Sequence, residues 1–259
     1  FELPSGKKVL HSGDCRFDAD CMRDALLKYA FPCDRLYLDT TYLSGQYTFP
    51  HQRVVIDFVV EVVKRRMRLH RGRCLVLVGS YFIGKERLFL ELIQACGLKW
   101  HLESAKKRAF LRMEASENWS PLPKCSDRLV SKAQADLWVV PMHSLKASEV
   151  VEVWKKVQTM KQRKEKPIHE IIGISPTGWN LKKGGKSWRE PSQPHPNVLC
   201  YAVPYSEHSS LAEIQQFLNL LQPTSVEPTV RGSQVHAVLN TLLPKDNTQS
   251  YGSAPHHNG

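Results

Sequence analysis

The sequence predicts an α/β fold of stacked layers. Short continuous apolar runs at 74–78, 137–141, 171–174 and 198–203 read as buried strands. They alternate with amphipathic helical patterns at 54–69, 86–96, 148–157 and 210–221, the signature of sheets covered by helices. The composition is that of a globular chain, 42% hydrophobic and 24% charged, and 259 residues suffice for one large domain or two small ones. Wholesale disorder and collagen-like repetition are excluded, and no apolar run is long enough to span a bilayer.

Residues 1–10 read as a short hairpin, turning at Pro4-Ser5-Gly6. The loop HSGDCR (11–16) follows, then a short helix at 20–28 and a second buried strand, RLYLD (35–39), that ends on a carboxylate. An irregular loop closed by Pro50 leads into the helix at 54–69, where Val55, Phe58, Val59, Val62 and Val63 make one face. Lys64, Arg65, Arg66 and Arg68 crowd its end, where cations complement the helix dipole. Gly97 stops the helix at 86–96. A basic stretch spans 155–166, and a polar segment at 180–196 reads as a loop. In the last helix Leu211, Ile214, Phe217, Leu218 and Leu221 point inward. After about Leu243 the composition turns to Asn, Ser, Gly, His and Pro, so a disordered tail is expected.

Charge and cysteine narrow the function. Lysine and arginine number 36 against 25 carboxylates, a net charge of +11 that suits a polyanion, nucleic acid first and an anionic membrane second. Seven scattered cysteines with no CxxC pair read as reduced thiols in an intracellular protein. A first residue Phe1 reads as a fragment or partial gene product.

One motif resembles a phosphate loop. Residues 79–85, GSYFIGK, fit GxxxxGK between a strand and a helix. Glu86 stands where a magnesium-binding hydroxyl belongs, and Tyr81, Phe82 and Ile83 crowd the loop interior, so ATP binding is not expected. Polar residues also gather at strand ends: His11 and Asp14, Asp39, and Glu207 with His208. Carboxylate and imidazole are donors for Zn²⁺ or Mn²⁺, although each residue alone also fits a turn or a helix cap.

These segments, in this order, resemble the DNA cross-link repair branch of the metallo-β-lactamase superfamily, the β-CASP nucleases. HSGDCR, LDTTYLSGQYTFPHQ (38–52), VGSYFIGKER (78–87), SPTGWN (175–180), VPYSEHSS (203–210) and EPTV (227–230) carry the resemblance, which covers about residues 10–232. It implies a partial metallo-β-lactamase αββα fold with a β-CASP insertion. Residues 1–43 and 171–235 would form the lactamase layer, 44–170 the β-CASP domain and 236–259 the tail. By position it implies catalytic roles for Asp14, Asp39 and His208, with Asp14 and His208 as metal ligands. Val230 falls at the third motif and resembles DNA-acting rather than RNA-acting members.

The function implied is metal-dependent 5′-to-3′ DNA exonuclease activity in interstrand cross-link and double-strand-break repair, in the nucleus, on damaged DNA or DNA ends. The metal would be Zn²⁺, or Mn²⁺ or Mg²⁺. Thr177, Ser206 and Ser209 are candidates to hold a 5′-phosphate, and Lys182, Lys183 and Lys186 to hold the backbone. The family's HxHxDH motif would precede His11, so this chain alone is expected to lack most metal ligands and nuclease activity. A catalytically inactive DNA-binding or scaffold remnant and an RNA-processing β-CASP nuclease are the alternatives.

Overall fold

The computed structural model describes residues 1–115, 123–160, 167–178, 187–232 and 234–242. In chain order the elements begin with β1 (Val9–His11), α1 (Ala19–Tyr29), β2 (Arg35–Leu38), α2 (Gln52–Leu69), β3 (Cys74–Ser80) and α3 (Glu86–Cys96). Next come β4 (Trp100–Leu102), α4 (Ser104–Glu114), β5 (Leu137–Pro141), α5 (Ala147–Thr159) and β6 (Glu170–Pro176). The last are β7 (Ser192–His195), β8 (Val198–Val203), α6 (Leu211–Leu221), β9 (Ser225–Pro228) and α7 (Val235–Leu242). The expected α/β class holds. None of the described helices is long and apolar enough to cross a membrane.

The chain divides into two compact units, Phe1–Thr48 with Glu207–Gly259, and Phe49–Ser206. In the first, β1, β2 and β9 form a three-stranded parallel sheet with β2 at its centre. Leu36 and Leu38 of β2 and Val226 of β9 are buried in a core with Leu26 of α1, Ile214, Phe217, Leu218 and Leu221 of α6, and Leu239 of α7. The 3.6-residue period of α6 turns those four side chains inward, and burying each stabilises by about 1.5–3 kcal/mol. Because all three strands run the same way, the segments after their C-terminal ends emerge at one edge. Cross-links at that edge confirm it: the Ser12 amide donates to the Tyr37 carbonyl at 2.9 Å, and the Thr229 amide to that of Leu38 at 2.9 Å.

The second unit holds a six-stranded sheet in the order β4-β5-β3-β6-β8-β7, parallel except for the β7 edge. Every residue of the central β3 is buried, as expected for a strand covered on both faces. Its side chains alternate. Val76 and Val78 pack with Val55, Ile56, Val59, Val62 and Val63 of α2, whereas Leu75 and Leu77 pack with Val150 and Val157 of α5.

Three expectations are corrected here. The return to the first layer was placed at residue 171, but β6 and β8 pair with β3 and with each other in the second unit, so the chain crosses back between Ser206 and Glu207. The segment read as a loop up to residue 196 contains β7, which gains its structure by antiparallel pairing with β8. Residues 236–242, assigned to the tail, are helical instead, because Val235, Val238, Leu239 and Leu242 share one face of α7 and pack into the first core.

Candidate metal centre

At the strand edge of the first unit, β2 delivers Asp39 immediately after its last paired residue. The carboxylate is buried, 3% exposed, and heavily hydrogen-bonded. Thr41 donates to Oδ1 twice, from its amide at 3.0 Å and its hydroxyl at 2.7 Å, a turn that Asp followed two residues on by Thr favours. The Asp39 amide donates to Ser12 Oγ at 2.9 Å. Asp14 reaches the same edge after Gly13, whose left-handed backbone, φ +60°, turns the chain after β1. His208 precedes α6 and brings its Nδ1 to 2.6 Å from Asp39 Oδ2. One ligand atom each from Asp14, Asp39 and His208 lie within 4.8 Å of one another.

The electrostatics follow from this geometry. Burial pushes the Asp39 carboxyl upward, but the hydrogen bonds from His208 and Thr41 outweigh it and hold the pKa below the ordinary Asp value. Asp39 is therefore ionised at neutral pH and can only accept, so His208 donates a proton to it from Nδ1. The Tyr42 ring stands edge-on to the imidazole, with centroids 5.8 Å apart. The loop before α6 is fixed as well. Ser210, rather than any of 206–209, caps the helix in a reciprocal box with Glu213, and Glu213 also pairs with Arg16 at 2.9 Å.

Two carboxylates and an imidazole form a hard-to-borderline donor set suited to Zn²⁺ or Mn²⁺. Asp14 and His208 fit part of the shell of such an ion, and Asp39, held by Thr41, fits the carboxylate that orients the imidazole. The sequence pointed to Asp14, Asp39 and His208. It missed Thr41, Ser12 and Tyr42, of which only Thr41 carried a signal, its place two residues after a carboxylate.

The other candidates fall elsewhere. Ser209 Oγ accepts from the Phe17 amide at 2.8 Å and donates to the Cys15 carbonyl at 3.1 Å, so this hydroxyl ties down the 15–17 loop. Thr177 and Ser206 belong to the second unit. There the Thr177 amide donates to the Val203 carbonyl, and the Ser206 carbonyl accepts from Gln52 Nε2 at 2.7 Å. Lys182, Lys183 and Lys186 lie outside the described residues.

The phosphate-loop lookalike is filled by the protein itself. The Gly84 amide donates to Glu86 Oε1 at 3.0 Å, where a phosphate oxygen would need it. Lys85 is buried with its ammonium 3.4 Å from the Tyr205 carbonyl. A second cluster, His70, Cys74 and Glu170, also has ligand atoms within 4.8 Å. There the Arg66 guanidinium bonds both oxygens of the buried Glu170 carboxylate, and burial pushes the Cys74 thiol up to about 12. A cation would have to displace an arginine, so we read this cluster as a structural ion pair.

Comparison with known proteins agrees with the motifs. The DNA repair metallo-beta-lactamase family matches residues 123–234, which include His208. The DNA cross-link repair 1A protein of Gallus gallus is 32% identical over 231 residues, 89% of this chain and 22% of that protein. The DNA cross-link repair protein SNM1 of Arabidopsis thaliana is 32% identical over 233 residues, 89% of this chain and 45% of that protein. The 5′ exonuclease Apollo of Gallus gallus is 25% identical over 238 residues, 92% of this chain and 44% of that protein. The chain thus spans between about a fifth and just under half of the length of these curated relatives. Residues 123–234 are thus similar to the DNA repair metallo-beta-lactamase family, and most of the chain is similar to proteins of cross-link repair.

Proposed function

We propose that this chain contributes the metal edge of a 5′-to-3′ DNA exonuclease that trims DNA during interstrand cross-link repair. The observation that carries the reading is the convergence of Asp14, Asp39 and His208. A divalent ion held by Asp14 and His208, with Asp39, would supply an activated water and polarise a phosphodiester oxygen. The chain's own residues prepare that role. Asp39 fixes the His208 tautomer and ring plane, Thr41 fixes Asp39, and the Ser210 cap fixes the loop that carries His208. The second unit is then the β-CASP domain, and Thr177, Ser206, Lys182, Lys183 and Lys186 are the groups it offers to phosphate. A protein that repairs cross-linked DNA works where the genome is, and we place it in the nucleus.

The test is digestion of single- and double-stranded DNA, labelled at either end, by the protein carrying this chain, with Mg²⁺, Mn²⁺ or Zn²⁺. Degradation should proceed from the 5′ end. Asp39→Asn and His208→Ala should each lower turnover by about 100-fold or more. Undiminished turnover in both variants, or digestion from the 3′ end, would overturn the reading.

A further inference from the structure

The positive charge of this chain is not evenly spread. The unit Phe49–Ser206 holds twice as many lysines and arginines as carboxylates, whereas the remaining residues hold more carboxylates than lysines and arginines. Several cations of the second unit are neutralised in place: Arg53 by Asp57 and Glu91, Arg87 by Glu91, Lys106 by Glu86 and Lys155 by Glu152. A group that is not so neutralised lies at the end of α2. Lys64, Arg68 and Arg71 are exposed and Arg73 is half-buried. Among the described residues none of the four forms an ion pair.

Lys64 and Arg68 stack on one helix face, one turn and about 6 Å apart. Asp57 and Glu61 occupy the same face further back, so the charge along it changes sign toward the C-terminal end. The turn after the helix adds Arg71 and Arg73. Arg71 has φ 50° and Gly72 φ 72°, both left-handed. An arginine in that conformation costs about 1–2 kcal/mol, which glycine would avoid. The helix dipole accounts for Arg68 in the last turn, but its pull fades within that turn and Lys64 lies before it. The helix backbone is anchored. Val59, Val62 and Val63 seat α2 on the sheet, and Arg66 binds Glu170 at the start of β6.

We propose that the C-terminal end of α2 and the turn after it form a docking surface for the sugar-phosphate backbone of nucleic acid, with Lys64, Arg68, Arg71 and Arg73 as its phosphate contacts. The choice of nucleic acid as the polyanion rests on the repair-nuclease reading above. Uncompensated cations bind a row of phosphates without reading sequence, and each phosphate neutralised releases counterions.

The experiment measures binding in EDTA, so that it is independent of hydrolysis. Fluorescence anisotropy follows a labelled duplex of about 20 base pairs between roughly 50 and 200 mM salt. The variant Lys64→Gln, Arg68→Gln, Arg71→Gln, Arg73→Gln should bind at least about tenfold more weakly, and its slope of log affinity against log salt should fall by about three to four. A charge-keeping variant, Lys64→Arg with Arg68→Lys, should bind as wild type, and circular dichroism should show both folded. Affinity within twofold of wild type and an unchanged slope in the folded glutamine variant would overturn the proposal. So would a wild-type chain that binds vesicles of phosphatidylserine and phosphatidylcholine but not DNA. The two readings separate cleanly. If Asp39→Asn abolishes hydrolysis while the glutamine variant binds normally, the nuclease stands and the docking surface falls. If the glutamine variant loses binding while Asp39→Asn still digests DNA, the reverse holds.

Discussion

Replacing Thr41 by valine removes one hydroxyl and keeps the shape of the side chain. In the native protein that hydroxyl donates to Asp39 Oδ1 at 2.7 Å, a short bond to a charged acceptor. Hydrogen bonds to charged groups contribute about 1.5–3 kcal/mol. Oδ1 keeps the Thr41 amide at 3.0 Å, so it is not orphaned, and the loss should fall at the low end, about 1–2 kcal/mol. Thr41→Ser keeps the donor and should recover most of it.

The pH dependence has a definite sign. Asp39 titrates below its ordinary value in the folded state, so its charged bonds stabilise the fold above the unfolded Asp pKa. That stability disappears as pH falls through the depressed folded value. The gap between wild type and Thr41→Val, measured by urea denaturation, should therefore be full at neutral pH and close in acid. A looser Asp39 also orients His208 less well, so calorimetric Mn²⁺ or Zn²⁺ affinity should fall by about 10- to 100-fold. If Thr41→Val loses less than about 0.3 kcal/mol at neutral pH, or if Thr41→Ser behaves like the valine variant, the hydroxyl does not hold the site as argued.

Arg66→Met strands the buried Glu170 carboxylate, and because the Arg66 side chain is 24% exposed the cost should be about 2–3 kcal/mol, below the full range for a buried pair. The double variant Arg66→Met, Glu170→Leu should regain most of that in denaturant melts, and equal losses in the single and double variants would remove the ion pair from the account. Burial also pushes the thiol of Cys74 up to about 12 and those of Cys96, Cys125 and Cys200 to about 11, and raises Cys15 and Cys33. In a Cys21→Ser variant, Ellman's reagent at pH 8 should label the native protein about 100-fold more slowly than the unfolded one, and a stoichiometric fast thiol would contradict the burial.

What the sequence made legible was decided by whether a segment carries its own signal. The runs of β3, β5 and β8 are apolar on both faces, so they read as strands without knowledge of partners. β7 and β9 are four-residue segments that exist because β8 and β2 pair with them, and SQPH or SVEP alone reads as loop. Propensity did not announce α4 either, since its lysines and arginines hide the buried Phe110 that helps seat it. The boundary at 171 failed for a related reason: an apolar strand does not reveal which sheet it joins, and the choice of β3 as partner for β6 is non-local. The face of α7 was legible in its spacing, and the polar composition after it masked the signal.

The candidate centre shows the same division between chemistry and placement. That Asp14, Asp39 and His208 could hold a metal was readable from their types and from the ends of strands. That they meet depends on parallel pairing, which no local pattern encodes. Asp39 makes the point. Leu36 and Leu38 are buried by strand alternation, and Asp39, next in line, should face the other way into solvent. It is buried because the strand ladder has ended: the Leu38 carbonyl is taken by the Thr229 amide and the Asp39 amide donates to Ser12, so the backbone is satisfied beyond the sheet. A buried carboxylate left unpaired would cost several kcal/mol, and here His208 and Thr41 offset that desolvation with three hydrogen bonds. The bonds that make Asp39 tolerable in the core are the same bonds that orient His208. Stability and site geometry at this edge are therefore one constraint, and a substitution that relaxes either must change both.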